Sequence, residues 1–170
     1  MKILSIAFMT LLLISCKKNN NEIPAGDPNQ RVSADINLAG SNSHLAATGN
    51  YTGFTKAVYP NSVTMINDTV ITILGSVGTQ ELQINLGNVN STGTYQFGQY
   101  PGRSYLMARY TPNRVGFGGG DYYFNHSAVL SGTINITSFT ATHIEGSFVD
   151  SCWNGTTAAS ITNGSFSGNF

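Results

Sequence analysis

The chain has 170 residues, eight basic and eight acidic side chains and no net charge, and only 9% of its residues are charged. That balance removes the electrostatic case for nucleic-acid binding. A charged, disordered chain is excluded as well, since serine, threonine, asparagine and glycine stand where charge would be, a composition suited to an extracytoplasmic β-protein.

The N-terminus opens with Lys2 and an apolar stretch over residues 3–14, broken only by Ser5 and Thr10. A bilayer span takes about 20 apolar residues, so this run is too short to cross and fits the hydrophobic region of a secretory signal. It ends in Leu13-Ile14-Ser15-Cys16, which resembles a bacterial lipobox. A small residue before the cysteine suits the peptidase that cuts there, and the Cys16 thiol is the nucleophile that takes a diacylglyceryl group. The expectation is therefore a signal peptide over residues 1–15 and a mature chain beginning at an acylated Cys16. Each buried methylene contributes about 0.8 kcal/mol, so several acyl chains hold such a protein on its membrane.

Residues 17–30, KKNNNEIPAGDPNQ, contain Pro24, Gly26 and Pro28 and no apolar period. They read as a flexible tether with an end-to-end distance of roughly 20 Å. Lys17 and Lys18 are placed to touch anionic headgroups, although a solvated tether accounts for them equally. Residues 31–170 then form a single domain, long enough to bury a core without staples.

Within that domain strand signals recur and no helical stripe is sustained. Residues 69–74, TVITIL, are β-branched and apolar, as in a central strand. Residues 81–86 alternate, with Leu82, Ile84 and Leu86 on one face and Glu81, Gln83 and Asn85 on the other. Residues 104–110 set Leu106, Ala108 and Tyr110 against Tyr105, Met107 and Arg109. Residues 121–125, DYYFN, make a short aromatic strand. Four segments share a glycine followed by Thr or Ser and then Tyr, Ile or Phe, at Gly93, Gly132, Gly146 and Gly164. These glycines read as punctuation at strand openings. The pattern predicts an all-β, antiparallel sandwich of about 8–10 short strands, or else a small up-and-down barrel.

Catalytic constellations are sparse. Cys152 is the one thiol left beside Cys16 and has no histidine motif around it, so a small buried hydrophobe is expected. His44, His126 and His143 do not fall at metal-ligand spacing. Gly116 to Asp121 has the glycines of a phosphate loop without its lysine, and reads as a mobile loop. Asp35, Asp68, Glu81, Asp121, Glu145 and Asp150 are too few and too scattered to mark an acid pair. No catalytic residue, metal or cofactor is assigned, and a hydrolase built on a fold-assembled acid pair is the least favoured reading.

Binding has more support. Tyr95, Tyr100, Tyr105, Tyr110, Tyr122, Tyr123 and Phe124 enrich the middle of the chain in aromatics, alongside Arg103, Arg109 and Arg114. Tyrosine offers a flat apolar face with a hydroxyl, and arginine a fork for acidic groups. Core packing and cross-strand pairing compete for the same residues. The candidate contact residues are Tyr105, Arg109, Tyr122 and Trp153. Trp153 lies in DSCWNG, where it either projects as a contact or tucks in to cap the sandwich.

The C-terminal forty residues carry three connected phrases. The first is Gly132, Ile134, Ile136 and Thr137; the second is Ile144, Gly146, Ser147 and Phe148; the third is Ile161, Thr162, Gly164 and Phe166. Together with GTYQF upstream and the alternating ADINLAG at residues 34–40, they resemble a family of uncharacterised Bacteroidota lipoproteins, a domain of unknown function. The resemblance implies an all-β lipoprotein and no particular activity. In that phylum, surface-exported lipoproteins often carry an acidic run after the cysteine. KKNNNE lacks one, which points to an outer-membrane anchor facing the periplasm, with display at the cell surface as the alternative. Asp68-Thr69-Val70 resembles the phylum's O-glycosylation word, although Thr69 equally suits a strand opening. The expected function is a non-enzymatic binding or scaffolding domain, with a glycan, a peptide or an envelope protein as partner. The alternative is a structural subunit of an envelope complex.

Overall fold

The computed structural model describes residues 27–59, 68–98, 106–114, 123–124 and 132–170. Cys16, most of the tether, Tyr105, Tyr122 and the loop at residues 116–121 lie outside them, as do Tyr100, Arg103 and His126.

Eleven strands follow in chain order: β1 Arg31–Leu38, β2 Ser41–Thr48, β3 Thr52–Tyr59, β4 Asp68–Val77, β5 Gln80–Gly87, β6 Gly93–Gln96, β7 Met107–Thr111, β8 Tyr123–Phe124, β9 Thr133–Phe139, β10 His143–Trp153 and β11 Ala158–Asn169. β10 and β11 are long; the two shortest, β6 and β8, hold too few residues for an alternation to show. Every pairing is antiparallel.

One layer runs β2-β1-β11-β10-β9-β6 and the other β8-β7-β5-β4-β3. They join at β10, whose first half pairs with β9 while Trp153 pairs with Phe124 of β8. The hydrogen-bonded path ends at β2 on one side and β3 on the other, with no ladder between those two among the described residues. The all-β fold is thus an open sandwich and not a closed barrel.

Alternation does what the sequence predicts. Leu82, Ile84 and Leu86 are fully buried, as are Leu106 and Ala108, with Tyr110 beside them. Facing them are Val32, Ala34, Ile36, Leu45, Ile134, Ile144, Ile161 and Phe166. At about 25 cal/mol per Å² of apolar surface removed from water, this shared core holds the layers together. Close passage at Gly75 tightens it, since a side chain there would strike Val32 and Ala47 of the opposite layer. Cys152 is fully buried, as expected, and its Sγ donates to the Ala108 carbonyl at 3.6 Å.

One reading changes. Gly146 and Gly164 lie inside β10 and β11 and do not open them. Phenyl rings from the neighbouring strand occupy the space above them, so these glycines serve close packing. Glu81 lies on the face opposite Leu82, as the alternation predicts, and its side chain there is only 8% exposed. Two arginines reach it there, Arg109 at 3.0 Å and Arg114 at 2.7 Å.

Candidate functional site

The first layer turns one face to the core and the other to solvent. Ser33, Ser165, Ser147, Asn135 and Thr94 are in register across β1, β11, β10, β9 and β6, forming a row of small polar side chains. Ser33 and Ser165 share a hydrogen bond at 2.9 Å, and the Thr94 hydroxyl donates to Asn135 at 3.2 Å. At one end of the face Arg31 donates across β11 to Glu145 at 3.2 Å.

β11 holds one extra residue relative to both neighbours: Ser33 pairs with Ser165 but Asp35 with Thr162, and Phe148 with Gly164 but Asp150 with Ile161. The surplus is absorbed at Asn163, whose φ is 50°, a left-handed conformation that asparagine tolerates better than most residues. The bulge re-aims the Asn163 side chain, whose Nδ2 donates to Asp35 Oδ2 at 2.8 Å. The other carboxylate oxygen of Asp35 meets His44 Nδ1 at 2.6 Å, from its register partner on β2.

These bonds hold the Asp35 carboxyl below its ordinary pKa of 3.8, the Asn163 amide contributing most and the His44 ring next. Both Asp35 and His44 remain about half exposed or more. They line a groove of about 460 Å³ with Asn37, Asn42, Ser43 and Thr162. A second depression of about 260 Å³, lined by Thr133, Asn135, Ser147, Val149 and Asn163, lies on the other side of the bulge.

The chemistry on offer is hydrogen bonding. Asp35 is fixed by two partners and keeps further acceptor capacity. His44 has Nε2 free for a ligand once Nδ1 is committed, and Asn37 and Asn42, themselves linked at 2.6 Å, add amide groups. Such a set matches a neutral, hydroxyl-rich ligand. Among the described residues, no group of three His, Cys, Asp or Glu side chains is placed to hold a metal ion.

Of the sequence-derived contact residues, Trp153 ends β10 and is 48% exposed, so it projects and does not cap the core. It is in phase with Glu145, Ser147, Val149 and Ser151 along the strand and shares their outer face. By strand geometry it stands roughly 15 Å from Asp35. Arg109 lies on β7 in the other layer, tied to Glu81, and does not join that face. Tyr110 belongs to the core, and the Tyr95 hydroxyl donates to the Ser91 carbonyl at 3.0 Å. Thr69 is the second residue of β4, opposite Val58 of β3, and its N–H donates to Asn88 Oδ1 at 3.0 Å.

The groove at Asp35 went unread in the sequence. Asp35 and His44 are nine residues apart, a spacing that signals nothing unless a hairpin turn at Ala39 and Gly40 sets them opposite each other. Both turn residues have positive φ, as a two-residue hairpin demands. Compared with protein-family models, curated proteins and solved structures, the chain matches none of them.

Proposed function

We propose that this protein is a lipoprotein of the bacterial cell envelope, anchored through lipid on Cys16 to the outer membrane and facing the periplasm. In this reading its β-domain binds a ligand without transforming it, and the ligand is a neutral glycan lying across the outer face. The groove at Asp35 carries the proposal. A carboxylate held by an amide and an imidazole, beside further amides and hydroxyls, suits the hydroxyl pairs of a sugar. Trp153 on the same face supplies a ring on which a sugar can stack. Four carboxylates, Asp35, Asp68, Glu81 and Glu145, are each hydrogen-bonded to an amide, an imidazole or a guanidinium, and the reading takes Asp35 among them as the acceptor for ligand hydroxyls.

The test is titration of the full-length protein in detergent with soluble oligosaccharides from the host envelope, read by Trp153 emission. Asp35→Ala is expected to weaken binding by about tenfold, near 1.4 kcal/mol. Tight binding that ignores Asp35→Ala and His44→Ala overturns the assignment of the groove.

A second reading, a structural subunit of an envelope complex, draws on β3. That strand ends the hydrogen-bonded path among the described residues, and Val58 and Tyr59 on it are each 57% exposed. An unpaired edge with apolar side chains is a template for another chain.

A further inference from the structure

We infer that the end of the sandwich where the chain enters lies against the bilayer surface, with Tyr51 and Val77 as its contact residues, and that Trp153 stands at the end remote from the membrane. The inference rests on the lipoprotein reading and adds an orientation to it.

Entry is fixed by two contacts. Gln30 accepts from the Gly49 N–H at 3.1 Å, and Asp27 accepts from the Asn169 side chain at 2.8 Å. The first described residues therefore clasp the turn between β2 and β3 and the end of β11. Tyr51, in that turn, is 67% exposed. The pairing of Thr52 with Gly75 places Val77 at the same end, where it is 40% exposed. The two share a depression of about 540 Å³ with Thr48 and Gly78. A tyrosine and a valine left in water beside the point of entry suit the headgroup boundary, where an amphipathic ring gains most.

Register places Trp153 at the other end. Arg31, Ser167 and Glu145 align near the entry, whereas Trp153 pairs with Ala158 at the opposite limit of β10 and β11. Eight residues separate Glu145 from Trp153 along β10, about 26 Å at 3.3 Å per residue. The tether between Cys16 and Asp27, as the coil its composition predicts, averages roughly 18 Å. Bringing Trp153 to the bilayer requires the tether to run back along the sandwich, stretched well beyond its average span toward its full extension of about 37 Å. That stretching costs conformational entropy, so the entry end is held down and the far end is held out.

The protein has one tryptophan, which makes the test direct. The full-length lipidated protein is reconstituted into vesicles of phosphatidylethanolamine and phosphatidylglycerol, with brominated or ordinary acyl chains. Flotation comes first: protein that fails to float refutes the anchor, independently of orientation. In floating protein, Trp153 emission is expected to be the same in both vesicles. In the Trp153→Phe background, a Tyr51→Trp reporter is expected to lose most of its emission in brominated lipid, and Val77→Trp serves as a second reporter. Quenching of Trp153, or no quenching of either reporter at the entry end, overturns the orientation while leaving the anchor standing.

Discussion

The phenyl ring of Phe148 lies across Gly164, its register partner on β11, so that a methyl group at 164 would sit 2.6 Å from two ring carbons. The arrangement is reciprocal. Gly146 pairs with Phe166 of β11, and a methyl group at 146 would fall 2.7 Å from that ring. The two rings sit 6.2 Å apart, centre to centre, over the pair of glycines.

Gly164→Ala is accordingly expected to destabilise the domain by about 1–3 kcal/mol, the usual cost of overpacking. Urea denaturation measures it. Combining Gly164→Ala with Phe148→Leu should cost less than the sum of the two single changes, because the smaller side chain vacates the contested space. Strict additivity would mean that the ring does not press on position 164.

Glu81 ties β5 to β7 and to the segment after it, through Arg109 and Arg114. Glu81→Gln keeps the shape and removes the charge, leaving two guanidinium groups facing a neutral amide. A loss of about 1.5–3 kcal/mol is expected, in line with hydrogen bonds to charged groups. Arg114→Ala should cost less, since Arg114 is 41% exposed and solvent screens it. Equal stability of Glu81→Gln and the parent at neutral pH would show the cluster to be energetically idle.

Asp35 has a pKa lowered below 3.8 in the folded protein by Asn163 and His44. A carboxyl depressed on folding stabilises the native state above its unfolded pKa, and that contribution is lost as pH falls through the lower, folded value. The hairpin bearing Asp35 and His44 should hold together at neutral pH and loosen only in acid below 3.8. Carboxyl-carbon NMR titration reads the group directly. Asn163→Ala is expected to move the Asp35 midpoint upward, and an unmoved midpoint would remove Asn163 as the main cause.

The two cysteines give a chemical test of the N-terminus. With Cys16 acylated, Cys152 is the remaining thiol, and it is fully buried. Mature protein should resist thiol reagents until unfolded, and then expose one reactive group. Cys16→Ala should leave an unprocessed precursor without lipid label, detected by its slower migration. Normal processing and membrane retention of that variant would refute the anchor.

The fold was legible wherever one face of a strand meets the core. Leu82, Ile84 and Leu86 alternate because side chains on a strand point to opposite faces, and a local pattern of period two needs no knowledge of the partner. The same logic put Glu81 on the opposite face but not in its buried setting, because alternation tells which face a residue occupies and not what covers that face. Arg109 and Arg114 arrive there from β7 and from just beyond it, far along the chain.

By itself the sequence determined an apolar run ending at Cys16, a polar stretch after it, and an all-β domain of low charge. Each of these is a local property, set by composition or by the spacing of neighbours. The tertiary structure alone decided the open sandwich over the barrel, because closure depends on whether β2 and β3 meet at the two ends of a long ladder. It also decided the groove, since Asp35 and Asn163 lie 128 positions apart. Only the pairing of β1 with a bulged β11 brings the amide to the carboxylate, and long-range register of that kind leaves no mark on either segment read alone.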